Sequence, residues 1–217
     1  LLYPGFTALD LVGPHYMFGS LWGAKVRLVA KEKGPVMSDL NLAIVADTTF
    51  EECPKDLTIL FAPGAISGAL DAMQDEETLS FLQDRGARAE YVTSVCTGSL
   101  LLGQAGLLDG YKATGHWVCR DLLPLFGAEP VNERVVVDRN RITGAGVTAG
   151  LDFGLSIVER QRDTTYAKSI QLLAEYDPTP PFNAGTPEKA GAEVTEIMAS
   201  MFQGFEAKLR EVAKERI

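Results

Sequence analysis

Residues 89–108, AEYVTSVCTGSLLLGQAGLL, join a β-rich apolar run to an apolar helical pattern, with only Ser94 to Gly98 between the two. So short a connection forces the chain to reverse sharply at its central residue, Cys96. The small residues Gly98 and Ser99 allow such a strand–nucleophile–helix elbow to form. In an open parallel sheet this turn lies at the carboxyl edge of the strands, where ligands bind.

A cysteine at this turn has two interpretations. The first is a reactive nucleophile. The cysteine would lie over the unpaired N–H groups that begin the helix, and their partial positive charge should stabilise a thiolate and lower the pKa of Cys96. The alternative is a buried strand-end cysteine, because free cysteine is among the most buried residue types. The alignment of strand, small residues and helix favours a nucleophile.

Apolar runs alternate with helical patterns along the chain. Strands are predicted at 24–30, 57–64, 89–95, 133–138 and 141–146, and Leu1 and Leu2 read as the end of a strand that begins upstream. Helices are predicted at 10–21, 75–88, 97–108, 148–161 and about 190–215. This alternation favours an α/β fold, with a mostly parallel sheet covered by helices on both faces, in a single domain over 1–217.

Two segments depart from that pattern. Residues 133–141 could form a hairpin that turns at Asp138–Asn140. Residues 177–187, DPTPPFNAGTP, hold four prolines and are expected to be irregular and stiff.

Composition narrows the classes of function. The chain has 29 acidic and 20 basic side chains, and a formal charge of −9 disfavours binding to nucleic acid or to an anionic membrane surface. No run of about 20 apolar residues and no signal-peptide layout is present, so we expect a soluble, cytoplasmic protein. Three cysteines without a CxxC pair predict reduced thiols and no metal site, and a small neutral partner fits best.

Asp10 is the candidate proton carrier. It follows the first strand, so it should reach the same sheet edge as Cys96. A carboxyl group beside a thiolate in a poorly hydrated pocket has a raised pKa and can deliver a proton near neutrality. The alternative role is a helix N-cap, and the two are about equally favoured.

Other turns could complete the pocket. The amides of Gly64 and Ala65, in the strand-end loop APGAIS, could act as anion donors, although a PG turn alone is weak evidence. The turn TGAGVTAG, 143–150, lacks a phosphate-loop lysine and the GxGxxG spacing, so it is interpreted as the pocket floor, with Val147 as an apolar contact and Thr148 capping a helix.

Structural roles are predicted for one remaining histidine, His116, and for the two remaining cysteines. His116, followed by Trp117, is interpreted as a structural corner, and His15 has no neighbouring motif. Cys53 and Cys119 are predicted to be packing residues.

Five features follow one another along the chain: Asp10, the PG loop, the SVCTGSLLLGQAGLLDG elbow, KATGHW and TGAGVTAG. In this order they resemble the DJ-1/PfpI superfamily over nearly the whole chain. The resemblance implies a flavodoxin-like sandwich, a reactive cysteine at Cys96, an acidic partner at Asp10 and a homodimer. Thr97 departs from the peptidase and glyoxalase branches, which commonly have histidine there. Aspartate at position 10 departs from the chaperone-like relatives, which usually have glutamate.

Within the superfamily, the sequence resembles the isocyanide hydratase branch in Asp10, in the CTGS elbow and in AEYDPTPPFNAGTP at 174–187. It departs from that branch at Ala65, where a second glycine is common. That branch implies a cofactor-independent hydration of a small isocyanide to an N-substituted formamide. Cys96 would be the nucleophile, Asp10 the proton carrier and Thr97 a donor to the developing charge. The elbow is shared with sensor domains of AraC-type regulators, but we expect no helix-turn-helix module here. A redox sensor with an oxidisable Cys96 is the alternative.

Overall fold

The computed structural model describes residues 1–216. The strands are β1 (Val29–Ala30), β2 (Gly34–Met37), β3 (Ala43–Ala46), β4 (Thr48–Thr49), β5 (Ile59–Ala62), β6 (Tyr91–Val95), β7 (Lys112–Ala113), β8 (Glu129–Pro130), β9 (Val135–Asp138) and β10 (Arg141–Gly144). The helices are α1 (Ala8–Gly19), α2 (Ser67–Met73), α3 (Glu76–Gly86), α4 (Gly98–Gln104), α5 (Trp117–Arg120), α6 (Ala149–Gln161), α7 (Thr164–Leu173), α8 (Pro187–Ala190) and α9 (Ala192–Val212).

The central sheet has the order β5-β6-β10-β9. β5, β6 and β10 run parallel, and β9 is antiparallel to β10, which confirms the predicted hairpin. Leu2 donates its N–H to Val29 O at 2.7 Å, so the first residues run beside β1 as the end of a strand would. Three parallel strands therefore end at one edge of the sheet.

Helices cover both faces of this sheet. α1 packs against α6, and α6 against α7, over a cluster that includes Phe18 and Phe153. α2, α3, α4 and α9 lie over the larger cluster on the other face. This arrangement confirms the predicted α/β sandwich with a mostly parallel sheet. That it forms one domain over 1–217 stays a prediction.

α1 and α6 approach closely because α6 presents glycines to α1. A Cβ on Gly150 would lie 2.9 Å from Pro14 Cδ, and a Cβ on Gly154 would lie 2.6 Å from Met17 Cγ. The two helices that flank the carboxyl edge are thus fixed against each other.

Several elements differ from the sequence-based prediction. The first predicted strand shrinks to β1, because residues 24–28 are mostly exposed or half-buried. The β2–β3 hairpin was not predicted, since its edge strands carry Pro35 and weak alternation. The predicted long terminal helix is α9, and residues 177–186 hold neither helix nor strand, as their prolines indicated. Within residues 1–216, no helix is both long and apolar enough to cross a bilayer.

Candidate active site

The candidate active site lies where the parallel strands end. β5 ends at Ala62, β6 at Val95 and β10 at Gly144, and the last two are direct partners in the ladder. The chain leaves each strand into a turn, and α1 begins nearby, because Thr7 N–H donates to Gly64 O at 2.8 Å. Four separate segments therefore converge on the residue that follows β6.

That residue, Cys96, is buried and has a strained backbone. Its φ of 61° lies in the left-handed region of backbone conformation, which residues other than glycine rarely adopt. Its N–H donates to Ala145 O at 2.8 Å and to Gly144 O at 3.1 Å, which fixes the elbow to the turn after β10. The sulfur accepts hydrogen bonds from the backbone N–H groups of Val147 and Thr97. Strand, turn and helix together hold the thiol in one position.

Asp10 faces this thiol from the first turn of α1. Its Oδ2 accepts the N–H of Gly64 at 3.0 Å, and its carboxyl group is hydrogen-bonded to Cys96. The N-cap of α1 is Thr7 rather than Asp10, so the alternative role as a helix cap is wrong. Asp10 Oδ1 is buried and has no hydrogen-bond partner among the described residues. One carboxylate oxygen is thus held in place and the other is available.

Burial changes the protonation of both groups. It raises the pKa of Asp10 from 3.8 to about 7, although the hydrogen bonds from Cys96 and Gly64 oppose this rise. Burial also raises the pKa of Cys96 above its usual value, and the charge of Asp10 adds to that rise. The amides of Val147 and Thr97 act in the opposite direction. The sequence predicted a lowered thiol pKa, and this prediction is wrong because desolvation outweighs these donors. Near neutrality the thiol therefore keeps its proton, while the carboxyl group of Asp10 is close to half-protonated.

The hydroxyl of Thr97 holds two turns together through hydrogen bonds to the backbone of Ala65. Its Oγ1 donates to Ala65 O at 2.5 Å and accepts the Ala65 N–H at 2.7 Å, so it clamps the elbow to the turn after β5. A Cβ on Gly64 would lie 2.6 Å from Thr97 N and 2.7 Å from Asp10 Oδ2, so only glycine allows this approach. The amides of Gly64 and Ala65, expected to be anion donors, are therefore already occupied by Asp10 and Thr97.

The turn after β10 supplies the other donor. Val147 is half-buried beside Cys96, and Thr148 is exposed at the N-cap of α6 without a side-chain cap bond.

His116 packs on this turn, since a Cβ on Gly146 would lie 2.8 Å from its ring. Its Nδ1 accepts the Val118 N–H at 3.4 Å, and burial lowers its pKa. His116 is thus a neutral corner residue, as its sequence context indicated.

The other candidate residues lie outside the site. His15 is exposed on α1, while Cys53 and Cys119 are free and buried, as predicted for packing residues. Within residues 1–216, no three His, Cys, Asp or Glu side chains come together as metal ligands would.

Two residues that support the site were not found by sequence reasoning. The Tyr3 hydroxyl donates to Pro63 O at 2.7 Å and so holds the turn that carries Gly64. Arg134 O accepts the Ala145 N–H at 2.9 Å, next to the elbow. No local pattern identifies Tyr3, because its contact joins segments 60 positions apart. Arg134 bonds across the base of the β9–β10 hairpin, but through its backbone carbonyl, which leaves no mark on the type of residue.

Comparisons with known proteins agree with this geometry. A family model described as the DJ-1/PfpI family matches residues 1–160. An isonitrile hydratase from Pseudomonas putida is 47% identical over 196 residues, which are 90% of this chain and 85% of that protein. The crystal structure of a THiJ/PfpI family protein from Pseudomonas syringae is 62% identical, with a TM-score of 0.96, and the match covers 98% of this chain and 88% of that one. An HTH-type transcriptional regulator from Pseudomonas aeruginosa is 28% identical over 82% of this chain and 50% of that protein.

Proposed function

The chain belongs to the DJ-1/PfpI family, and on this premise we propose that it is an isocyanide hydratase that works without a cofactor. The observation that carries the proposal is the buried Asp10–Cys96 pair, in which a carboxyl group with a pKa of about 7 lies beside the thiol and its two backbone N–H donors. Isonitrile is another name for isocyanide, so the relative that is 47% identical carries this activity in its name. The substrate is an uncharged small molecule, in keeping with the apolar side chains packed around Cys96 and with an acidic chain.

In the first step Cys96 adds to the isocyanide. The sulfur attacks the terminal carbon of R–N≡C while its proton passes to Asp10, and a C–S bond forms. Asp10 then delivers that proton to the same carbon, which gives the thioimidate R–N=CH–S–Cys96. A carboxyl pKa of about 7 suits both transfers, because the group can accept and release a proton near neutrality.

In the second step water replaces sulfur. Asp10 accepts a proton from the water that attacks the thioimidate carbon, and the nitrogen is protonated in turn. The tetrahedral intermediate R–NH–CH(OH)–S–Cys96 then collapses: the C–S bond breaks, the C=O bond forms, and the hydroxyl proton passes to the departing sulfur. The products are the formamide R–NH–CHO and the free Cys96. The unpartnered Asp10 Oδ1 is the oxygen we assign to the water, since Oδ2 is engaged by Gly64.

The other predicted site residues take supporting roles in this proposal. The N–H groups of Thr97 and Val147 stabilise negative charge on sulfur. The side chain of Val147 contacts the R group, and exposed Thr148 lies at the pocket rim. Gly64 and Ala65 shape the pocket through Asp10 and Thr97 rather than binding substrate with their amides.

Isotope labelling of the product tests this mechanism. Purified protein is mixed with an aryl isocyanide in D₂O or in H₂¹⁸O, and the formamide is followed by NMR and mass spectrometry. We expect many turnovers per chain, deuterium on the formyl carbon and ¹⁸O in the formyl oxygen. Cys96→Ala is the matched control. No formamide above the level of that control would contradict the proposal.

A redox sensor is the second candidate function, because a thiol beside a carboxyl group can be oxidised reversibly. Both functions need the same buried thiol, so its burial and the pKa raised by that burial do not separate them. Turnover separates the two functions: a sensor consumes oxidant stoichiometrically, whereas a hydratase converts substrate repeatedly.

We further propose that the protein is a homodimer in the cytoplasm and binds no nucleic acid. α9 leaves apolar side chains in solvent, with Val194 47%, Ile197 57% and Met201 72% exposed. Such a face is typical of an interface between subunits. Light scattering should give twice the 23.4 kDa of one chain, and Ile197→Glu with Met201→Glu should halve it. A mass near 23.4 kDa at micromolar concentration would contradict the dimer.

A further inference from the structure

A polar network on the protein surface surrounds the start of α6. Arg134 Nε donates to Asp152 Oδ2, and Arg134 Nη2 donates to Thr148 Oγ1 at 3.3 Å. The hydroxyl of Tyr176 donates to the same Asp152 oxygen at 3.1 Å. Arg134 and Asp152 are 52% and 35% exposed, so this network is separate from the buried Asp10–Cys96 pair.

The backbone of Arg134 contacts the opposite end of the same turn. Its carbonyl accepts the Ala145 N–H at 2.9 Å, and Ala145 O in turn accepts the Cys96 N–H at 2.8 Å. Arg134 therefore contacts the turn at both Ala145 and Thr148. Between these two contacts lies Val147, whose N–H reaches the sulfur of Cys96.

We propose that Arg134 is a positioning residue, whose side chain holds the 145–148 turn so that the Val147 N–H stays on the Cys96 sulfur. The planar guanidinium suits this task because it reaches a hydroxyl and a carboxylate at once, which a lysine ammonium on a flexible stem does not reproduce. Asp152 and Tyr176 act through Arg134 by fixing its orientation. The Ala145 contact uses the backbone carbonyl and survives any substitution of the side chain.

This role differs measurably from that of a surface ion pair. Half-exposed pairs contribute little to stability, so the side chain of Arg134 should affect the melting temperature only slightly. A displaced Val147 N–H, in contrast, removes one of the two donors to the sulfur and should raise the pKa of the thiol. Reactivity should therefore fall while stability changes little.

The test compares Arg134→Gln with Arg139→Gln. Arg139 is 57% exposed and pairs with Asp138, so it matches Arg134 in exposure and pairing but has no contact with the 145–148 turn. Alkylation of Cys96 by iodoacetamide is measured from pH 7 to 10, with Cys96→Ala as the blank for Cys53 and Cys119. We expect Arg134→Gln to react about three- to tenfold more slowly at pH 8, equivalent to a pKa rise of about half to one unit. Arg139→Gln should react like the wild type.

Further variants sharpen the assignment. Arg134→Lys should recover only part of the rate, and Asp152→Asn and Tyr176→Phe should give smaller losses in the same direction. With an aryl isocyanide, Arg134→Gln should lower kcat about three- to tenfold and leave KM nearly unchanged, because a shifted amide acts on the reacting sulfur. This kinetic arm rests on the proposed hydratase activity, whereas the alkylation arm does not.

Two outcomes would overturn the proposal. One is an Arg134→Gln alkylation profile that matches those of Arg139→Gln and wild type. The other is a loss of rate that follows a lower melting temperature, with Asp152→Asn behaving like wild type. If alkylation changes as expected but no variant, nor wild type, hydrates isocyanides, Arg134 keeps its positioning role and the hydratase proposal fails.

Discussion

Two strand-to-helix turns meet at the sulfur of Cys96, and they are held by different means. The elbow between β6 and α4 is buried and held by close packing, since a Cβ on Gly98 would lie 2.3 Å from Ala62 O. The turn between β10 and α6 is half-exposed, and Arg134 contacts it at both ends. The elbow provides the proposed nucleophile, while the second turn provides one amide.

This difference predicts how a substitution in each turn affects stability and rate. A close-packed turn has one geometry, because neighbouring atoms leave no room for another. A turn held by exposed polar contacts can shift at little cost in stability, yet a shift of about 1 Å can reduce the rate considerably. The elbow should therefore be sensitive in both stability and rate, and the second turn mainly in rate.

The largest effect is expected at the elbow itself. Cys96→Ser keeps the Cβ that the left-handed backbone already accommodates, so the protein should fold with a similar melting temperature. Isocyanide turnover should fall by about 10⁴-fold or more, because a hydroxyl is not ionised near neutrality. Formamide production and thermal melts measure the two properties. Turnover near that of wild type would remove Cys96 from the mechanism.

Asp10→Asn tests the proton carrier next to the elbow. The amide keeps the size and the hydrogen-bonding oxygen but cannot exchange a proton, so turnover should fall by about 10²- to 10³-fold. Asp71→Asn, at an exposed acid on α2, is the control and should stay near wild type. An Asp10→Asn protein with an unchanged melting temperature and at least about a tenth of wild-type turnover would exclude this role.

The raised pKa of Asp10 also predicts how stability depends on pH. The folded state binds this proton more tightly than the unfolded state, with pKa values of about 7 and 3.8. Asp10 therefore stabilises the fold most below about pH 4, and this contribution is lost as pH rises through about 7. Urea unfolding should show the wild type losing stability relative to Asp10→Asn across this window. A constant difference between the two proteins from pH 4 to 8 would contradict the shift.

Gly64→Ala tests whether close packing at the elbow is essential. The new Cβ would meet Thr97 N and Asp10 Oδ2, and a backbone atom cannot move aside easily. We expect a loss of about 1–3 kcal/mol in the free energy of unfolding and about a tenfold or greater loss of rate. Gly19→Ala, where a Cβ meets nothing within 4 Å, is the control. If both variants behave alike, the elbow is looser than the structure indicates.

The smallest effect is expected from Gly146→Ala, a glycine-to-alanine substitution in the turn between β10 and α6. A Cβ on Gly146 would approach the ring of His116, and a side chain can shift where a backbone cannot. Gly146→Ala should cost less than about 1 kcal/mol and leave turnover within about threefold of wild type. A loss as large as that of Gly64→Ala would erase the distinction between the two turns.

Much of the fold was predictable because its signals are local. The alternation of apolar runs and helical patterns gave the parallel sheet, and β9–β10 and the irregular 177–186 segment followed from turn residues and prolines. The β2–β3 hairpin was missed because an edge hairpin with Pro35 gives a weak pattern. β1 was overestimated because residues 24–28 have strand-like composition but lie exposed or half-buried.

For the site, the sequence by itself determined which residues could react. It indicated a cysteine at a tight turn and an acid after the first strand, because small residues and strand ends are readable within a short window. Only the tertiary structure decided their chemical state. The Gly64–Asp10 and Ala65–Thr97 bonds join residues 54 and 32 positions apart, so no local pattern reveals that these amides are occupied. The pKa values follow from burial, which depends on how all four segments pack around one sulfur atom.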